Sequence, residues 1–491
     1  MSAVAAYRDM RHLVVPVYAP AFLATLAQKV VIAALPLYVK DGLQGDDAAV
    51  GAITSMQGLG AFATAALAGY LISLVGDRCG MIAGAIASCL AYFACLLVTT
   101  LPTTQAAMAL LACACFATGI GKATFEVARN SYMACNVPKS LRGRANGLIG
   151  GCARVASMVG PALGGLVMHY HGSDGSAVFV AQVLIGAAAV GLLVIGVSPA
   201  SSVPVPSSQT QQDMVATAEG AELSNSGASD GSARNANCKC VASLARSDSD
   251  PTQRRCEFAT SIVLLPLLEA GPTGFSFGFV RAARGLLIPL KADAIELSAS
   301  AVGYVTAASF ACDSLLFPLG GHISDRYGRK AAGVPALMIM ATGCLLLGLA
   351  RGVWGVSSAS ALIGVGNALS SGIVQTVGQD AAPSDPRARS HFLGLYKVAT
   401  DCGTFLGPLV VGLVANAVGL DAAAEVVAVA TCACALWYAA ISKESMRHGP
   451  TKSRTCRDGD ERSAHAELIP SQTAVVAVVG RTPSTPDLCR A

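Results

Sequence analysis

The sequence predicts an all-α membrane protein with twelve transmembrane helices in two pseudo-symmetric six-helix bundles. Three observations carry this expectation. Of 491 residues, 53% are hydrophobic and 13% charged, with a mean hydropathy of +0.55, which is too apolar for an ordinary soluble globule. Twelve apolar runs reach the length of roughly 20 residues that a helix needs to cross a bilayer. The chain also repeats itself. GIGKATFEVARNSYMACNVPKSLRGR from Gly119 aligns with GVGNALSSGIVQTVGQDAAPSDPRAR from Gly364, pairing Pro138 with Pro383, Arg142 with Arg387 and Arg144 with Arg389.

In chain order, Leu13–Val39 is too long for a signal-peptide core and no small-residue cleavage pattern follows it, so it reads as a retained span. Val50–Val75, Met81–Leu101, Ala106–Cys135, Ala145–Tyr170 and Ala177–Val197 complete the first half. The second half comprises Thr260–Leu290, Ala301–Ser324, Ala331–Ala350, Val353–Gln379, His391–Val418 and Ala422–Ile441. Between the halves, Pro199 to Cys256 is rich in Ser, Ala, Asn and Asp and has no aromatic residue. Such a stretch cannot bury enough apolar surface to offset its ordering entropy. The boundaries expected are therefore a first half at 1–198, a disordered linker at 199–256, a second half at 257–441 and a disordered tail at 442–491. The tail's TAVVAVV run is too short to span a membrane.

Basic loops orient the chain. Arg8, Arg11, Arg78, Lys139, Arg142, Arg144, Arg326, Arg329, Lys330, Arg387 and Arg389 fall on one side. Lys40, Lys291 and Arg351 fall on the other, with the acids Asp41, Asp46, Asp47, Asp174, Asp293, Glu296 and Asp421. Both termini and the linker are accordingly expected in the cytoplasm, in a multi-pass protein of the plasma membrane or an organelle membrane. No basic stripe supports nucleic-acid binding. Cys238 and Cys240 form CKC and not a CxxC pair, His169 and His171 have no partner nearby in sequence, and the spans offer no nucleophile with a base. Neither a metal site, a cofactor nor an enzyme is expected.

Gly320 to Lys330, GGHISDRYGRK, fits GxxxDRxGRK with Gly321, Asp325, Arg326, Gly328, Arg329 and Lys330 in the fixed places. Two antiparallel helices joined so tightly need glycine at the close approach and at the turn. The first-half copy is degraded: Asp77, Arg78 and Gly80 remain, Ser73 replaces the first glycine, and Met81 stands where a basic pair belongs. The fifth span carries GCARVASMVGPALGG, with Gly151, Gly160, Pro161, Gly164 and Gly165, echoed by Gly403, Gly407, Pro408 and Gly412 in the eleventh. Together the loop, the repeat and this glycine motif resemble the major facilitator superfamily, in its group of twelve-span proton-coupled drug and metabolite exchangers. The resemblance implies two parallel six-helix repeats and a signature loop whose Asp and Arg latch onto an acid further along. Asp380 holds that place in the second half and Cys135 in the first, so the latch is expected to be stronger in the second half. The resemblance also implies that spans one, four, seven and ten line the cavity, in a monomer with no cofactor.

Intramembrane charges are costly and usually paired or functional. Here they are Lys29; Lys122, Glu126 and Arg129; Arg154; Glu269, Arg281 and Arg284; Asp313; and Lys397 and Asp401. Asp401, Glu126 and Asp313 are the proton-coupling candidates. Asp401 stands out because it falls near mid-bilayer and opposite Arg154 in the repeat, with Lys397 as the rival partner. Lys29, Lys122, Arg129, Arg154, Arg281 and Arg284 are the substrate-cavity candidates, although helical spacing would also let Lys122, Glu126 and Arg129 neutralise one another. The surplus of cations favours an anionic or zwitterionic small-molecule substrate. A proton-coupled antiporter is the leading reading, a facilitator or symporter of an organic anion the next, and a sensor or scaffold without transport the last.

Overall fold

The computed structural model describes residues 13–137, 142–172, 175–196, 251–370, 372–383 and 386–441. The helices are α1 (Val14–Gly42), α2 (Asp47–Val75), α3 (Asp77–Val98), α4 (Thr104–Asn136), α5 (Arg142–His171) and α6 (Ser176–Gly196) in the first half. The second half contains α7 (Pro251–Ala294), α8 (Ala299–Tyr327), α9 (Arg329–Leu349), α10a (Val353–Leu369), α10b (Ile373–Ala381), α11 (Pro386–Val418) and α12 (Leu420–Ile441). Among the described residues, ten helices are long and apolar enough to cross a bilayer, counting α10a and α10b together. The twelve-span architecture is the one expected from sequence, and Cys238 and Cys240 of the linker lie outside the described residues.

Two boundaries differ from expectation. Helix α7 starts at Pro251, inside the stretch assigned to the linker, because TQRRCEFATS contains no helix breaker after an N-terminal proline. The tenth span is not one helix. It stops at Leu369, passes through Gly372 at φ +77°, and restarts at Ile373; glycine is the residue that adopts this left-handed turn at little steric cost.

Sequence symmetry reappears as packing symmetry. Asp46 caps α2, accepting from the Ala49 backbone N–H at 2.8 Å, and Ser298 caps α8 the same way at 3.4 Å. Gly76 at φ +86° turns α2 into α3, as Gly328 at φ +106° turns α8 into α9. The aligned pair Gly119 and Gly364 lie against α2 at the Gln57 carbonyl and α8 at the Ser309 carbonyl respectively. Gly160 lies against Lys29 on α1, and its counterpart Gly407 against Phe279 and Ala283 on α7.

Within each half, α1 packs on α5 and α6, α3 on α4, α7 on α11, and α9 on α12. Two seams join the halves, α2 to α11 and α5 to α8. Both are backbone against backbone. A methyl group on Gly51 would sit 2.6 Å from Gly412 Cα, one on Gly58 would sit 2.7 Å from Phe405 Cα, and one on Gly165 would sit 2.8 Å from Gly303 Cα. Small residues let helices approach this closely in lipid, where packing replaces the hydrophobic drive. These contacts lie toward the end carrying the α1–α2, α5–α6, α7–α8 and α11–α12 connections, called here the odd-loop face. Lys40 on α1 reaches Asp293 on α7 at 3.3 Å on that same face, again crossing between halves. Toward the opposite, even-loop face, Gly147, Gly150 and Gly151 of α5, Gly321 of α8 and Gly394 of α11 have nothing within 4 Å of the position a side chain would take.

Candidate transport site

The polar centre of the molecule is built on Asp313, whose side chain is 7% exposed. Helix α8 presents it toward α5, α7 and α10a. Arg154 Nη1, on α5 of the other half, donates to Asp313 Oδ1 at 2.5 Å, and Asn367 Nδ2, near the end of α10a, donates to Oδ2 at 2.6 Å. Arg284 Nη2 of α7 stands 3.5 Å from the same Oδ2. The network then continues away from the boundary. Arg281 Nε donates to Asn367 Oδ1 at 2.6 Å, while Arg281 Nη2 donates to the Ser370 hydroxyl at 2.8 Å and the Ser370 carbonyl at 3.2 Å. Arg281 thereby shares with the Ile373 N–H, at 3.2 Å, a carbonyl at the point where α10 breaks.

Aromatic rings carry the remaining cations. Arg284 lies over the Phe310 ring at 4.5 Å and Lys29 Nζ over the same ring at 5.1 Å. Arg154 lies over Phe317 at 4.7 Å and Arg281 over Phe277 at 5.3 Å, contacts that gain strength when desolvated. Arg284 Nη1 is buried without a hydrogen-bond partner among the described residues.

Asp401 is placed elsewhere. Its Oδ1 accepts from Lys397 Nζ one turn earlier on α11, and its Oδ2 is buried without a partner among the described residues. Arg154, its counterpart in the repeat, pairs with Asp313 instead. The two helices have equivalent neighbours, α1 and α8 for α5 and α7 and α2 for α11, so the different pairing comes from the residues those neighbours present: α8 offers Asp313 to Arg154, while Asp401 pairs with Lys397 of its own helix.

Lys122, Glu126 and Arg129 form no direct ion pair with one another, despite their helical spacing. Arg129 reaches Asn130 Oδ1 at 3.3 Å and lies over Phe125 at 5.7 Å. Glu126 sits in the fields of Lys122, Arg129, Lys397 and Lys29 without touching them. Lys29 and Lys122 line a cavity of about 100 Å³ inside the first half. Lys291, expected in a loop, is 4% exposed within α7, bonded to Asp421 of α12 and to the Gly348 carbonyl at 3.2 Å. Glu269 stands near the start of the apolar part of α7.

The second-half signature loop is closed by Arg329. It bonds Asp325 at 2.7 Å and approaches Asp380, on α10b, at 3.6 Å. Lys330 donates to the Ala439 carbonyl at 2.9 Å and Arg326 lies over Tyr327 at 5.6 Å. Asp77 and Arg78 make no ion pair among the described residues. In the fifth span, Gly160 faces Lys29, Gly164 faces the Val30 carbonyl, and Gly165 faces the Ala299 carbonyl, where an added methyl group would sit 2.5 Å from the oxygen; a methyl group on Gly303 would sit equally close to the Pro161 carbonyl. The glycine motif therefore serves both the α1 interface and the α8 seam, whereas Gly151 touches nothing.

Sequence reasoning overlooked Asn367, Ser370 and Phe310. A signal for the first existed: in the aligned repeat, Asn367 takes the place of Lys122.

The chain matches the sequence profile of the Major Facilitator Superfamily over residues 19–243 and 271–482. It is 33% identical over 119 residues to the multidrug resistance protein MdtG of Enterobacter lignolyticus (strain SCF1) and 34% identical over 119 residues to that of Citrobacter koseri. Those alignments span 24% of this chain and 28% of each relative. Among solved structures, it is similar to a POT family transporter in complex with a thioalcohol-conjugated peptide (TM-score 0.63, 10% identity, 87% of this chain and 95% of that one). It is also similar to a D-xylose–proton symporter (TM-score 0.62, 14% identity, 90% and 99%). At such identities the structural likenesses show the fold alone.

Proposed function

The chain belongs to the Major Facilitator Superfamily and is a multi-pass membrane transporter, not an enzyme; on that footing we propose that it exchanges a small organic solute for protons by alternating access. The observation that carries this reading is the Arg154–Asp313 pair. A carboxylate in the membrane interior is held by a cation from the opposite half. When α5 and α8 move apart, Asp313 loses its nearest cation and keeps only Arg284 at 3.5 Å, and the oxygen that Arg154 vacates is where a proton can bind in its place. Reclosure returns Arg154 and expels it. Proton binding and the rocking of the halves are then two sides of one equilibrium.

Asn367 and Arg281 extend the effect to the break in α10, since release of Asp313 frees the group that positions Arg281 on Ser370. Arg154, Arg281, Asn367 and Asp313 act as one unit, with Asp313 as the proton carrier and Asp401 as a static partner of Lys397. The closed odd-loop seams and the untouched glycines toward the even-loop face fit a protein open on the even-loop side. The basic loops assign that side to the cytoplasm.

Proteoliposomes with an imposed pH gradient test the proposal, with an organic-solute library as the source of substrate. Asp313→Asn should abolish pH-driven accumulation and leave solute counterflow measurable, because an amide keeps the shape and cannot cycle a proton. Undiminished pH-driven accumulation in Asp313→Asn would refute it. A facilitator or symporter of an organic anion is the second reading, favoured by Arg284 Nη1 and the lysines of the first-half cavity. Uptake indifferent to the direction of the pH gradient, or driven by protons entering with the solute, would select it. The MdtG relatives suggest drug efflux, but the cations at Lys29 and Lys122 disfavour cationic drugs.

A further inference from the structure

The cavity of the first half has a donor and acceptor pattern that specifies a ligand. It is about 100 Å³ in volume and lies among α1, α2, α3, α4 and α6. Two cations line it, Lys29 from α1 and Lys122 from α4. Neither makes a hydrogen bond or direct ion pair among the described residues, and Glu126 bears on both only at longer range. Buried charge left in this state is costly.

The rest of the polar lining comprises Gln28, Gln57, Thr54, Thr118, Gln182 and two thiols, and three of these groups present acceptors. Thr54 donates its hydroxyl hydrogen to the Val50 carbonyl at 2.8 Å and Thr118 donates to the Ala114 carbonyl at 2.9 Å. Both therefore offer the cavity only oxygen lone pairs. Gln182, on α6, is 5% exposed, and its Oε1 is buried with no partner among the described residues. An unsatisfied acceptor this deep is uncommon and asks for a donor.

We propose that this cavity is the substrate seat for a short hydroxy acid, whose carboxylate rests on Lys29 and Lys122 and whose hydroxyl donates to Gln182 Oε1. The carboxylate neutralises the two lysines, and the hydroxyl satisfies Gln182 Oε1, the acceptor left without a donor among the described residues. An ammonium group could also donate to that acceptor, but it would stand beside two lysines, so the pattern selects a hydroxyl over an amine. The small volume sets an upper limit on length. Lys29 also connects the seat to the other half, because it shares the Phe310 ring with Arg284 and repels that guanidinium. An anion on Lys29 relieves the repulsion and favours closure of α1 on α7 and α8.

This inference rests on the transporter reading, yet its test needs no gradient, so the two can fail separately. Calorimetric titration of the full-length protein in detergent would compare glycerate with propionate, which lacks hydroxyls, with glycerol, which lacks charge, and with serine, which is zwitterionic. Glycerate should bind tightest, with propionate weaker by about tenfold, the worth of one good buried hydrogen bond. Lys29→Gln and Lys122→Gln should each weaken glycerate by at least about tenfold. Gln182→Leu should remove the preference for glycerate while leaving propionate affinity unchanged, which also shows that the variant is folded. Tighter binding of serine, equal binding of glycerol or propionate and glycerate, absence of glycerate binding, or a Gln182→Leu protein that keeps the glycerate preference would each overturn the assignment.

Discussion

Arg154 on α5 and Asp313 on α8 meet at 2.5 Å across the boundary between the two halves. Both lie in the same layer as the break in α10, and Asn367 and Arg281 join the two features. An ion pair so placed reports the relative position of the halves, because no movement of α5 on α8 leaves it intact. Two tests follow from it, one of stability and one of proton traffic.

Removal of Asp313 should destabilise the protein more than removal of Arg154, since Asp313→Leu leaves the buried Arg284 without a carboxylate whereas Arg154→Leu leaves Asp313 with Arg284 at 3.5 Å. Asp313→Leu alone is expected to cost about 3 kcal/mol. The double variant Arg154→Leu/Asp313→Leu should regain only part of that loss, because Arg284 stays unpaired, while staying inactive in pH-driven exchange. Thermal unfolding of the four proteins of this cycle in detergent measures the coupling, and additive losses would show that the pair contributes nothing.

Asp401→Asn should retain pH-driven accumulation, because its partner Lys397 is half exposed and can stay solvated when the carboxylate is gone. Its thermal stability should change by about 1 kcal/mol or less, the range of a partly exposed pair. Loss of pH-driven uptake with counterflow intact would move proton coupling from Asp313 to Asp401.

Much of this was legible in the residues, and the part that was not has a physical cause. Apolar run length located the spans because hydrocarbon thickness sets it. The glycines of α5 and α11 were readable because close helix approach admits no other residue. Which charge meets which was not readable. Asp313 finds Arg154 through the packing of α8 on α5, 159 residues apart in sequence, whereas local spacing suggested Lys122 with Glu126, a contact the helix does not make. The break after Leu369 was hidden by apolar residues on both sides of Gly372, which keep hydropathy high through a left-handed turn.

The second-half loop should matter more than the first. Asp325→Asn leaves Arg329 with Asp380 at 3.6 Å as its remaining carboxylate, whereas Asp77→Asn breaks no ion pair among the described residues. Initial uptake rates in vesicles should fall severalfold for Asp325→Asn and change little for Asp77→Asn. Equal rates would remove the asymmetry.

A methanethiosulfonate cross-linker long enough to replace the two side chains should bridge Lys40→Cys/Asp293→Cys, since the native side-chain tips meet at 3.3 Å between the halves. The cross-link should stop transport, and reduction should restore it. Transport undiminished in the cross-linked protein would mean that α1 and α7 need not separate at the odd-loop face.

Gly164→Leu should abolish folded protein at the membrane, because the added side chain would enter the Val30 carbonyl. Gly151→Leu, at a position touching nothing, should be expressed normally. Fluorescence-detected size-exclusion profiles of the two variants provide the comparison.

The glycine seams also set a mechanical ratio. Helix α11 has 33 residues and is about 50 Å long at the usual helical rise. Its contacts with α2 at Gly51 and Gly58 lie toward one end, so a fulcrum there leaves a long arm on the even-loop side. A tilt of about five degrees at the seam displaces the far end by about 3 Å, enough to part side chains that touch. The backbone contacts themselves shift by only a fraction of an ångström, which close-packed glycines tolerate. A gate of that kind needs no flexible hinge: two stiff rods bearing on each other near one end convert a small adjustment at the pivot into an opening at the other.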